Sequence, residues 1–159
     1  MKGRIKEDDA SVPYKRNGYW YYTRYETGKD YPIFCRKKDS LDSDEIVVFD
    51  NNEMAKGQSY FDQAGYTISE DNTMAAFGID LVSRRKYTIQ FKNLETGELL
   101  PEKIENTTGR AIWTNDNKTV YYTRKDEETL RSNQIFKHVL GTSQAVSYTH
   151  LTLPTILLV

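Results

Sequence analysis

Sulfur and imidazole are scarce in this chain. Cys35 is the only cysteine and His138 and His150 are the only histidines among 159 residues, which excludes a disulfide framework and any zinc site built from several Cys and His ligands. A lone thiol suits a reducing compartment, so a cytoplasmic location is expected, with the periplasm left open should a leader precede Met1. An excess of either charge is absent too: Lys+Arg 22 against Asp+Glu 23 leave a net charge of −1, so no global field draws the chain to nucleic acid or to an anionic membrane. Nor is there a run approaching the roughly 18 to 20 apolar residues that span a bilayer. The charged opening from Met1 to Asp9 lacks the apolar centre of a signal peptide.

What is present, 38% hydrophobic and 28% charged residues, is the composition of one globular domain or part of one. Aromatics make up 13%, and 12 of them are tyrosines, which fit a half-buried pleated surface better than a helix. No window longer than about 10 residues holds a helical apolar stripe, whereas short β-branched and aromatic runs recur between turn signals. Strands are predicted at 19–25, 31–37, 45–50, 64–69, 74–80, 86–94, 109–114, 118–124 and 134–140, with a weak one at 99–102. Gly28-Lys29-Asp30, Asp71-Asn72, Thr96-Gly97 and Asn115-Asp116-Asn117 supply the turn chemistry between them, so the sheet is expected to be mainly antiparallel. The only helical turn is expected within the charged residues 1–11.

Internal repetition then fixes the architecture. The stretch from Ile68 to Ile79 overlays that from Trp113 to Arg124, with Asp71-Asn72 falling on Asp116-Asn117 at a constant offset of 45 residues. A third copy, Asn17-Gly18-Tyr19-Trp20-Tyr21-Tyr22-Thr23-Arg24, matches Asn117 to Arg124 at an offset of 100. A repeat of about 40 to 45 residues, with several antiparallel strands and an Asp-Asn turn, is the signature of a β-propeller blade. Four-stranded blades bury their apolar faces on their neighbours, and propeller rings close with about four to eight of them. At this period 159 residues make about three to three and a half blades, so an all-β, partial β-propeller cut from a larger ring is expected. A surface segment 1–15 would lead into the incomplete propeller 16–142. Residues 143–159 follow no blade pattern and end on Ile156-Leu157-Leu158-Val159; they are read as a non-native tail, the alternative being a terminal strand.

Several ordered segments carry a family resemblance. They are Asp8-Asp9-Ala10-Ser11-Val12-Pro13-Tyr14, Gly18 to Arg24, Tyr31-Pro32-Ile33-Phe34-Cys35-Arg36, Ser83-Arg84-Arg85-Lys86-Tyr87, Ile104 to Gly109, Trp113 to Arg124 and His138 to Thr142. In this order they resemble the N-terminal region of the prolyl oligopeptidase family of serine peptidases, and within it the oligopeptidase B (protease II) branch, over residues 1–142. The resemblance implies a seven-bladed propeller capping an α/β-hydrolase domain with a Ser-Asp-His triad. It also implies that Met1 is internal to a longer chain. No Gly-x-Ser-x-Gly nucleophile elbow occurs here, so no catalytic residue is carried over, and no cofactor-binding or metal residue is assigned. The implied partners are oligopeptide substrates of the parent enzyme and the absent C-terminal hydrolase domain, without nucleic acid or membrane.

Several shorter motifs each have a plainer role beside a chemical one. Ser83-x-x-Lys86 has the spacing of a Ser-Lys nucleophile pair, but that chemistry needs one helical face and the segment lies in a hairpin connection. Arg84-Arg85-Lys86 reads as a solvated loop rather than a phosphate site, and Asp42-Ser43-Asp44-Glu45 as a solubilising loop lacking the Gly and Glu of a calcium site. Tyr19-Trp20-Tyr21-Tyr22 and Tyr121-Tyr122 read as blade packing rather than a base-stacking platform. His138, beside Lys137, is expected at the blade surface, and Cys35 as a small buried apolar residue without redox function. The sequons at Asn106 to Thr108 and Asn117 to Thr119 carry no meaning without export. The sequence thus implies the propeller of an endopeptidase that hydrolyses short peptides after Arg or Lys, gating access by size; the alternative is a non-catalytic propeller used for binding or as a scaffold.

Overall fold

The computed structural model describes residues 9–125 and 132–142. They form two compact units that meet in sequence between Ser59 and Tyr60.

The first unit is one blade. Strands β1 (Tyr14–Arg16), β2 (Tyr19–Arg24), β3 (Ile33–Lys38) and β4 (Glu45–Asp50) form an antiparallel sheet in chain order. Asn17 and Gly18 both take positive φ, 46° and 80°, and so make the two-residue reversal whose twist matches its flanking strands. Tyr21, Ile33, Cys35, Val48 and Phe49 bury the apolar surface. A single helical turn, α1 (Asn51–Met54), follows β4 and is started by Asp50, whose side chain accepts from the N–H groups of Asn52 and Glu53. Asn52 ties this turn to Tyr31, accepting from its N–H at 3.0 Å and donating to its carbonyl at 2.8 Å.

The second unit contains β5 (Asp62–Ile68), β6 (Met74–Asp80), β7 (Tyr87–Asn93), β8 (Leu99–Trp113), β9 (Thr119–Lys125) and β10 (Ser132–Val139) in one antiparallel sheet, order β10-β9-β8-β7-β6-β5. The long strand β8 belongs to two blades. Its first half pairs with β7, Ile89 opposite Ile104 and Lys92 opposite Leu99. Its second half pairs with β9, Ala111 opposite Tyr122 and Trp113 opposite Val120. Between the halves the register breaks and the chain bends at Asn106 (φ 57°) and Gly109 (φ 85°). The second blade is therefore β5, β6, β7 and the first half of β8; the third is the second half of β8 with β9 and β10.

The two blades meet through their first strands. Thr67 donates its hydroxyl to the Ala111 carbonyl at 2.8 Å, and the Trp113 indole donates to the Thr67 carbonyl at 3.1 Å. Ala76, Ile89, Phe91, Ile104, Ala111, Val120 and Tyr122 form a shared core between them. Complete burial of an Ile, Phe or Val is worth about 1.5–3 kcal/mol, so this seam is a main source of cohesion. Small residues permit it: a Cβ on Gly78 would stand 2.2 Å from the Gly109 carbonyl oxygen.

The partial propeller and its antiparallel blades agree with the sequence, and three details do not. The expected strands 99–102 and 109–114 are the two ends of the continuous β8, because Asn106 and Gly109 absorb the bend without breaking the backbone. Strand β1 was not expected; its three residues are all exposed and carry no apolar alternation. A helical turn at 51–54 was not expected; of the residues 1–11, 9–11 hold no helical turn, with Ala10 bridging to Arg24, and 1–8 fall outside the described residues. The tail 143–159 also falls outside them.

Replacing Gly78 by Ala should lower the stability of the chain by about 1–3 kcal/mol, read as a shift of its urea unfolding midpoint, because the new methyl group meets rigid backbone. An unshifted midpoint would show that the seam can relax.

Candidate functional site

The 45-residue repeat is visible atom by atom at one end of the second unit. The first turn runs from Ser69 to Met74 and the second from Thr114 to Thr119. In each, the N–H of the opening residue donates to the carbonyl of the closing one at 2.9 Å, and the opening hydroxyl donates to the Asp carboxylate at 2.5 Å. That carboxylate then accepts backbone N–H groups, from Thr73 in one turn and from Lys118 and Thr119 in the other. The next residues, Asn72 and Asn117, sit at φ 63° and 56°, which Asn tolerates. Asn117 also accepts from the N–H of Asp71 at 3.1 Å, joining the two turns. The hydroxyls of Thr114 and Thr119 and the two N–H groups hold the Asp116 carboxyl far below the usual carboxylate range. Burial raises the Asp71 carboxyl, yet bonds from Ser69 and Thr73 outweigh it and leave it low. With Glu70, Glu95 and Glu98 nearby in the turns, this end is acidic.

The opposite end is basic and partly apolar. Asp80, 1% exposed at the end of β6, accepts from the N–H groups of Val82 at 2.9 Å and Arg85 at 2.7 Å, and so fixes the connection 81–86. Ser83 and Arg85 take positive φ there, and all six residues of the connection are exposed. Ser83 and Lys86 therefore sit in a loop, as expected, and not on a helical face. Beside it Tyr87 donates to Asp62 at 2.6 Å; that bond, with burial, pushes the phenol up to about 12. Between the first strands, Ala64, Gly65, Tyr66, Thr67, Ala76, Gly109, Arg110 and Ala111 line a cleft of about 220 Å3.

In the first blade, Glu45 is engaged and does not belong to a cation loop. Arg24 grips its carboxylate with Nε at 3.1 and 3.2 Å and Nη2 at 2.9 Å, while Tyr22 donates to it at 2.5 Å. Burial would raise the Glu45 carboxyl, but Arg24 and Tyr22 lower it overall. The neighbouring Cys35 is fully buried and its thiol is pushed up to about 11, first by that burial and then by the Glu45 charge, which is the inert environment expected of it. The tyrosines pack within the blade: Tyr19 lies under Arg36 at 4.2 Å, and Tyr21 stacks on Tyr14 at 5.7 Å. Tyr122 stacks on Phe136 at 5.5 Å in the third blade.

His138 corrects the sequence reading. Instead of lying at the surface it is 1% exposed, stacked on Phe91, with Nε2 2.5 Å from the Glu102 carboxylate. Glu102 lies on the outer half of β8, so the contact links the second and third blades, and nothing local to either residue announces it. Among the described residues no group of His, Cys, Asp and Glu could hold a metal ion. No described helix is long and apolar enough to cross a membrane. The polar groups singled out in the sequence fasten turns, loops and the seam between the second and third blades, and the second unit has an acidic and a basic end.

The family described as prolyl oligopeptidase, N-terminal beta-propeller domain, matches residues 1–147. The chain belongs to the prolyl oligopeptidase family. It is 44% identical over 154 residues to dipeptidyl aminopeptidase BI of Pseudoxanthomonas mexicana, covering 87% of this chain and 21% of that protein. It is 31% identical over 148 residues to protease 2 of Moraxella lacunata, covering 89% and 21%. Among solved structures, oligopeptidase B from Leishmania major superposes with a TM-score of 0.85 at 35% identity, covering 91% of this chain and 21% of that one. The chain thus spans about a fifth of the length of these relatives. Membership accounts for the blades and for the order of the segments from Asp8 to Thr142.

Two outcomes test these environments. Asp116 has a lowered pKa when folded, so its stabilisation is present above the unfolded value of about 3.9 and is lost as pH falls below it. Urea midpoints followed from pH 5 to pH 2 should therefore fall less steeply in Asp116→Asn than in the parent chain; equal slopes would count against the turn network. The Cys35 thiol should resist a disulfide reagent at pH 8 in buffer and react at once in denaturant. Fast labelling of the folded chain would contradict its burial.

Proposed function

We propose that this chain contributes blades to the propeller of a serine endopeptidase that hydrolyses short peptides, with preference for cleavage after Arg or Lys. The observation that carries the proposal is the match to the family's propeller domain over residues 1–147, supported by the superposition on oligopeptidase B. In that protein the chemistry would be serine attack on the scissile carbonyl, with histidine as base and an oxyanion hole, all supplied by a hydrolase domain outside the present residues. The blades act as a filter. A narrow route through a firm wall admits a flexible oligopeptide and refuses a folded domain, and closure over the substrate keeps water from the reaction. The high density of structural hydrogen bonds in the turns at 69–74 and 114–119 suits a wall that holds its shape.

A second reading concerns the position of the cut. The relative at 44% identity is named a dipeptidyl aminopeptidase, so removal of two residues from a free amino terminus is the competing activity. A propeller acting only as a binding scaffold is a third, and the peptidase names of the relatives weigh against it.

In the full-length protein, amino-blocked fluorogenic amides ending in Arg or Lys should be cleaved, whereas the 159-residue chain should cleave nothing. Cleavage only of substrates with a free amino terminus would replace the endopeptidase with the dipeptidyl activity. Removing the propeller should let longer and structured substrates be cut; unchanged selectivity across a peptide-length series would refute the filter.

A further inference from the structure

Six exposed residues, 81–86, join β6 to β7, and Arg84, Arg85 and Lys86 among them are cations in succession. Exposed loop tips are where proteases nick folded chains, and an endopeptidase with an acidic specificity pocket takes an Arg or Lys side chain by charge. By composition the connection is a substrate. Its backbone opposes that role. Such an enzyme reads its substrate as an extended strand, with consecutive residues in the β region of φ and ψ. Residues 81–85 form a series of bends, with Ser83 at φ 59° and Arg85 at φ 55°. The bond after Arg84 leads into Arg85, the bond after Arg85 leaves it, and the bond after Lys86 lies one residue beyond it. A left-handed residue therefore stands at or beside every cleavable bond of the loop. A residue with a Cβ takes that conformation at a cost, so something must hold it. Asp80, 1% exposed, does so: one carboxylate oxygen accepts from the Val82 N–H at 2.9 Å and the other from the Arg85 N–H at 2.7 Å. Straightening the loop into an active site breaks the Arg85 bond and leaves a buried carboxylate short of a donor.

We propose that the connection 81–86 is a latent cleavage site for endopeptidases directed at Arg and Lys, and that the Asp80 carboxylate keeps it closed by holding Arg85 in the left-handed conformation. The reaction withheld is hydrolysis of one peptide bond: water adds across the C–N bond, leaving a carboxylate on Arg84, Arg85 or Lys86 and an amine on the residue that follows. The rate of nicking then follows the small population of loops that have let go of Asp80. A nicked chain stays assembled, because β6 and β7 remain paired from Met74 opposite Asn93 to Ile79 opposite Thr88. This goes beyond the proposed function and does not depend on it, since the attacking enzyme is any endopeptidase with such a pocket.

The test uses the full 159-residue chain in buffer with trypsin as the probe, the fragments being timed by mass spectrometry. In the unaltered chain the bonds after Arg84, Arg85 and Lys86 should be cut at least about a hundredfold more slowly than the same bonds in a synthetic peptide of residues 79–88. Equal rates would overturn the proposal without any question of a misfolded variant. Asp80→Asn should then speed these cuts about tenfold or more. Lys56, whose side chain is 70% exposed in the first unit, supplies the internal reference: the bond to Gly57 should be cut at an unchanged rate. A rise shared equally by the Lys56 bond, or no rise in the loop, would overturn the role of Asp80. Peptidase activity of the full-length protein does not enter these measurements, so the clamp stands or falls apart from the peptidase reading.

Discussion

One strand shared by two sheets governs the second unit. A β-strand has two hydrogen-bonding edges, and β8 uses them in sequence, offering its first half to β7 and its second half to β9. The change of partner requires a bend. It also requires that the bent backbone pass against β6 with no side chain between them, which is why Gly78 faces Gly109. From that contact follow the Thr67 bonds to Ala111 and Trp113, the common core around Phe91 and Ile104, and the burial of His138 against Glu102. In the second unit the blade is thus a unit of repetition in the sequence without being an isolated unit of packing.

Much of this architecture was legible in the residues, because propeller blades repeat local chemistry. Asp71 and Asp116 each stand two residues after a hydroxyl residue and just before an Asn, and each accepts from that hydroxyl and from the N–H two residues on. Tyr21 and Cys35 sat at inward positions of alternating strands, and they are buried. What escaped notice depended on partners distant in sequence or on small departures from pattern. The His138 pairing spans 36 residues, so no local motif marks it. Asp80 resembled any acidic residue at a strand end until the loop folded onto its carboxylate. The turn at 51–54 did carry a signal, Asp50 followed by Glu53, which is the spacing of a capped helix start, but a single turn yields too little apolar periodicity to stand out. Continuity of β8 was hidden by Asn106 and Gly109, residues that elsewhere end strands.

Electrostatics follows the same division of labour. The net charge is near zero, yet the second unit separates its charges, with Asp71, Asp116 and the glutamates at the turn end and Arg84, Arg85 and Lys86 at the other. The carboxylates that matter for folding are those given several donors each: Asp116 by two hydroxyls and two N–H groups, Asp80 by two N–H groups, Glu45 by an arginine and a tyrosine. Charge-assisted bonds of this kind hold a backbone shape more firmly than neutral ones.

The sharing of β8 also determines how the second unit comes apart. Were each blade closed on itself, the outer one could fray and reform while its neighbour stayed intact. Here, peeling β9 away releases the second half of β8, and the bend transmits the loosening to the edge that β7 relies on. The two blades should therefore lose their protection against amide exchange as a single cooperative block, and melting of one without the other is not an accessible route.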